Sequence, residues 1–145
     1  MMNNKPFWIT IARDGDTTDG RHIPAQDLRD IASNFDPAIY LPRVKAAYTG
    51  KYEFLTIGAI YAVKATTSCE GTTLLRALIQ PNDEWFYPGL YDLQTQSVYP
   101  SLEYVQDQRP ANEREWATTF ISGLSLTTEP AIRDLEPINK HMVRS

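Results

Sequence analysis

The sequence predicts a small, β-rich α+β domain, and three observations lead there. Its 145 residues, 42% hydrophobic and 22% charged, are an ordinary globular composition. A chain of that length buries roughly 70% of its unfolded surface and holds one core without staples. Alternating, β-favouring segments fill most of the second half, whereas only one stretch in the first half has helical periodicity.

Residues 7–12 alternate, with Phe7, Ile9 and Ile11 on one face and Trp8 and Thr10 on the other, and read as a strand. Residues 13–21 are rich in glycine and aspartate and read as a turn region. Pro24 stands where a first helical turn tolerates it, and Leu28, Ile31, Ala32 and Phe35 then share one helical face. Asp36-Pro37 stops that helix, because the residue before a proline disfavours the α conformation. Residues 54–65 and 72–79 read as strands joined by a turn at 68–71. Asn82 or Asp83 is expected to cap a short helix through Trp85 and Phe86, interrupted by Pro88-Gly89. Residues 97–105 and 116–126 complete the strands, and Pro100 predicts an edge or a bulge in the first of them. From Pro130 few positions look core-like. We expect one domain over 1–135 and a C-terminal tail over 136–145.

Charge and rare residues narrow the chemistry. Eighteen acidic and 14 basic residues leave a net charge of −4, which gives no electrostatic footprint for nucleic acid or an anionic membrane. One cysteine, Cys69, excludes an internal disulfide, and with two histidines no zinc motif is formed. No phosphate loop or dinucleotide fingerprint is present, so no cofactor is expected. The start lacks a signal-peptide pattern, and the most apolar run, residues 57–63, is far short of the about 20 residues of a spanning helix. A soluble, non-secreted protein is expected. On residues alone, Ser101 reads as a strand serine and Asp19 as a turn aspartate bonded to its local backbone.

Taken together, several segments resemble a known family. They are Asp14-Gly15-Asp16-Thr17-Thr18-Asp19-Gly20-Arg21, Pro24-Ala25-Gln26-Asp27-Leu28 and Phe35-Asp36-Pro37-Ala38-Ile39-Tyr40. Val98-Tyr99-Pro100-Ser101-Leu102-Glu103 and Gly123-Leu124-Ser125-Leu126-Thr127-Thr128-Glu129-Pro130-Ala131 follow in order. This run resembles the protease domain of the phage capsid scaffolding serine peptidase (GPO) family over residues 7–135. The resemblance implies a curled, mostly antiparallel sheet or barrel with a few packed helices, similar to herpesvirus-type assembly proteases. It implies a Ser-His-Asp triad, with Ser101 as the serine and Asp19 as the aspartate. It also implies a phage major capsid or scaffolding protein as partner, a possible homodimer, and a place in the host bacterial cytoplasm or the procapsid.

Two departures stand out. Tyr48 occupies the position at which the resemblance puts the histidine, and Ala47 replaces the glutamate before it. The resemblance implies a long charged scaffold region after the protease domain, and none is read within residues 136–145. Without a base the serine hydroxyl is a poor nucleophile, and in a well-studied serine protease losing the histidine costs about 10⁶ in turnover. Tyrosine, with a reference pKa near 10, is mostly a donor at neutral pH. Substitute bases considered are His22, three residues after Asp19, and Lys45, which alternation puts on the face opposite Tyr48. His141 reads as a surface histidine of the tail, and Glu103 as a surface or structural carboxylate. Three readings follow: a catalytically impaired, protease-like protein that binds capsid or scaffold proteins; an active endopeptidase using Asp19, Ser101 and an unrecognised base; and a recruited inhibitor or regulatory module.

Overall fold

The computed structural model describes residues 5–48, 55–85, 96–105, 112 and 119–142. Its chain order is β1 (Phe7–Arg13), β2 (Gly15–Asp16), β3 (His22–Ile23), α1 (Ala25–Asn34), β4 (Arg43–Lys45), β5 (Thr56–Thr67), β6 (Thr73–Pro81), β7 (Tyr99–Val105), β8 (Phe120–Thr127) and α2 (Asn139–Met142). Six strands form one sheet in the order β1-β6-β5-β4-β8-β7, and β2 and β3 make a separate hairpin. All ladders of the large sheet are antiparallel except β4 with β8, which is parallel. The sheet is therefore mixed and strongly curled, a β-rich α+β fold as the sequence predicts.

The curl has a local cause. Each antiparallel ladder of the large sheet contains a register shift, and an extra residue in one strand bends it and deepens its twist. In β1 the shift falls between Thr10 and Ala12, so Ile9, Ile11 and Ala12 are all buried where strict alternation would expose one of them. In β8 the extra residue is Ser122, whose carbonyl accepts a 2.7 Å bond from the Tyr40 hydroxyl. Gly58 of β5 is needed for close packing, since a Cβ there would meet the Gln80 carbonyl oxygen of β6 at 2.9 Å.

The core lies on the concave face. Ile9 and Ile11, Leu75 and Ile79, Ile57 and Ile60, Val44, Leu124 and Leu126 project into it and meet Leu28 and Ile31 of α1. The helix packs against β1, β5, β6 and β8 and ends at Asn34, with Phe35 already extended. It also buries Asp27, whose carboxylate accepts a 3.2 Å hydrogen bond from the Tyr104 hydroxyl on β7. Burial first, and then the Asp27 charge, push the Tyr104 phenol up to about 12. This bond ties the edge strand to the helix. Pro100 sits in that edge strand, which has a ladder on one side only, a place where a residue without an N–H is tolerated.

Three expectations need correction. Residues 83–85 form a turn rather than a helix, because the Asn82 side chain accepts the Glu84 N–H at 2.8 Å; Phe86 lies outside the described residues, as do 116–118 of the last strand candidate. The alternation expected from Lys45 to Tyr48 does not hold, because β4 ends at Lys45. The segment after Pro130 is not a tail over its described length. Ile132, Leu135, Ile138 and Met142 are buried, although only Asn139–Met142 of the segment is helical.

This C-terminal segment fastens both edges of the curl. The Thr18 N–H donates to the Ala131 carbonyl at 2.7 Å, and Arg13 of β1 pairs with Asp134 at 3.3 Å. Further on, the Ile138 N–H donates to the Val98 carbonyl, and the Asn139 side chain accepts the Val98 N–H, both at 2.7 Å. The Trp85 indole donates to the His141 carbonyl at 2.8 Å. The His141 ring stacks on Phe7 with centroids 3.9 Å apart. Ile138→Ala is expected to lower unfolding free energy by about 2–5 kcal/mol, measured by denaturant titration, while Lys140→Ala on the exposed side of the same segment should change it little.

Candidate functional site

Ser101 is in the middle of β7, half-buried, on the face opposite the buried Pro100 and Leu102. Its partner across the ladder is Ser125 of β8, and Ser125 is in turn opposite Lys45 of β4. Glu103, Gly123 and Arg43 make the neighbouring row. Residues opposite one another in a sheet project to the same side, so two hydroxyls, two cations and one carboxylate share the outer face of three adjacent strands. Lys45 Nζ lies 3.3 Å from Glu103 Oε1, each side chain about one-third to two-fifths exposed. The two meet across β8 because Gly123 has no side chain: a Cβ there would be 2.8 Å from Glu103 Oε1.

Sequence reasoning put Lys45 opposite Tyr48 and discounted it. The sheet places Lys45 in the row of Ser101, because the parallel pairing of β4 with β8 sets its register. Tyr48 follows three residues beyond Lys45, half-buried against the core with its hydroxyl oxygen withdrawn from solvent. Ser125 and Gly123 were not singled out as site residues. A glycine inside a strand pattern is a signal of close approach, and Gly123 carries it.

Asp19 lies in the turn between β2 and β3. Gly20 supplies the positive φ of 85° that this turn requires, and the Thr17 N–H closes it on the Arg21 carbonyl at 2.9 Å. The Thr17 hydroxyl donates to the Asp19 carboxylate and accepts the Arg21 N–H. The Arg21 guanidinium pairs with the same carboxylate at 3.0 Å. The Thr17 hydroxyl foremost, and then Arg21, hold the Asp19 carboxyl below its ordinary value. Asp19 is half-exposed, so these are local bonds in water rather than a buried pair. The adjacent Thr18 lines a shallow cleft of about 520 Å³ with Tyr99, Pro130, Ile132 and Leu135. Tyr99 is two residues before Ser101 on the same face, so the cleft connects the Asp19 turn with the start of the serine strand.

Both histidines of the sequence are engaged in contacts of their own. His22, considered above as a substitute base, has its Nδ1 2.8 Å from the Asp16 carboxylate across the β2–β3 hairpin. His141 is half-buried against Phe7 rather than on the surface, and burial, then Lys140, holds its imidazole below the ordinary range. No group of three or more metal-ligating side chains occurs among the described residues.

Comparisons with known proteins show the family of the chain. A family model described as GPO serine peptidase, N-terminal domain, matches residues 5–139. The capsid assembly scaffolding protein of Escherichia phage P2 is 29% identical over 133 residues, covering 86% of this chain and 44% of that protein. The chain thus spans less than half the length of this relative. No solved structure matches.

The Asp19 turn yields a test by titration. A carboxyl with a lowered folded-state pKa adds stability above its unfolded value, and that stability is lost as pH falls through the folded value. Thr17→Val removes the largest cause of the lowering and should move the Asp19 midpoint upward toward 3.8, followed by NMR of the side-chain carboxyl. An unmoved midpoint would assign the lowering to Arg21 alone.

Proposed function

The chain belongs to the GPO serine peptidase N-terminal domain family, and from that premise we propose that it serves phage capsid assembly by holding a capsid or scaffolding protein rather than by cutting one. The observation that carries this reading is the engagement of both histidines elsewhere, His22 with Asp16 and His141 with Phe7. A Ser-His-Asp mechanism needs an imidazole that takes the serine proton and is itself oriented by the aspartate. Here the Asp19 carboxylate takes Thr17 and Arg21 instead. Tyr48 stands in the segment to which the resemblance assigns the histidine, and a phenol is a weak proton acceptor at neutral pH.

What remains is a binding surface. The cleft between Thr18, Tyr99 and residues 130–135 is open and mainly apolar, with Arg133 and Asp134 among its lining residues, and suits a protein segment better than a small metabolite. The relative is a capsid assembly scaffolding protein, which supports a capsid or scaffolding protein as the partner, met in the host cytoplasm or inside the procapsid.

Two experiments test this reading. Cooperatively folded protein should show no Ser101-dependent reaction with a fluorophosphonate probe at neutral pH, and its background labelling should equal that of Ser101→Ala. Labelling that the substitution abolishes would establish an activated serine and overturn the binder. Tyr48→His alone should restore little peptidase activity, because base and nucleophile must stand within about 2.6–3.2 Å and Asp19 is bonded to Thr17 and Arg21. Turnover of a capsid-derived peptide by that variant would show that the rest of the site is intact.

A further inference from the structure

The row Lys45–Ser125–Ser101 has chemistry that the triad reading does not use. Lys45 Nζ contacts Glu103, a side chain of β7, and the two meet over Gly123 of the intervening β8. Ser101 is two residues from Glu103 on the same face, and in Lys45's own row. A flexible four-carbon stem lets the lysine be re-aimed along its row, past Ser125, toward Ser101. As the pair stands, Lys45 is an ammonium directed at a carboxylate, and an ammonium has no lone pair with which to accept the serine proton.

We propose that Ser101 and Lys45 form a latent serine–lysine dyad, held silent by Glu103, which draws the lysine off along the gap left by Gly123. Glu103 is a positioning residue and Lys45 the base. This inference rests on the reading that Ser101 is unreactive in the native chain. When Glu103 is made neutral the ion pair is lost, and the side chain is released to its own row. As the amine, Lys45 then takes the Ser101 hydroxyl proton while Oγ attacks. With a fluorophosphonate the O–P bond forms, the P–F bond breaks, fluoride leaves with the bonding pair, and the lysine becomes the ammonium.

The experiment compares fluorophosphonate labelling of native protein and Glu103→Gln at about pH 9.5, where a free lysine is roughly one-tenth amine. Glu103→Gln is expected to label about 10²-fold faster, the lower end of what a positioned base contributes. The adduct should map to Ser101 and be absent when Ser101→Ala or Lys45→Met is combined with Glu103→Gln. Glu103→Ser, which also removes the charge and suits a strand, is the second variant, and a cooperative thermal transition checks the fold of each. Labelling of both folded variants at the native rate would overturn the proposal, as would undiminished labelling after Lys45→Met. The two readings fail separately. Ser101-dependent labelling of the native chain at neutral pH sinks the binder, whereas labelling indifferent to Lys45 sinks the dyad.

Discussion

The fold depends on how an open curled sheet disposes of its two edges. β1 and β7 end the six-stranded order and approach each other across the curl, without the ladder that would close a barrel. Unpaired edge strands invite foreign strands and leave backbone groups unsatisfied. Residues 130–142 span that opening, bonding to Thr18 and Arg13 on one side and Val98 on the other, with Ile138 and Met142 buried beneath. Because the same segment holds the turn that bears Asp19 and the approach to β7, the closure of the sheet and the shape of the candidate site are one arrangement.

The centre of the sheet imposes a second constraint. β4 is only three residues long, yet it lies between β5 and β8 and pairs with them in opposite senses. That parallel step aligns Lys45 with Ser125 and, through β8, with Ser101. The Lys45–Glu103 pair is partly exposed, and such pairs contribute about 0–1 kcal/mol. By contrast, on the other face Asp27 is buried and Tyr104 half-buried, and their bond anchors the serine strand from behind.

Family membership and site geometry bear on different questions. The match over 5–139 identifies the kind of chain. It does not supply an imidazole. The reactivity of Ser101 is decided by what stands beside it, and the neighbours on its face are Ser125, Lys45 and Glu103.

Much of the architecture was legible in the order of residues, because strand alternation, the Pro24 helix start, the 68–71 turn and the edge position of Pro100 are local effects within a few residues of their cause. The candidate serine and aspartate were legible only through the resemblance, since a strand serine and a turn aspartate have no local mark of chemistry. Three things were decided by tertiary structure. The packing of residues 130–142 depends on surfaces supplied by Phe7, Trp85 and Val98, far away in sequence. The engagement of His22 and His141 is set by their partners Asp16 and Phe7. The row that joins Lys45 to Ser101 exists only through β8, because register between distant strands is fixed by which side chains must face a common core, and no single strand contains that information.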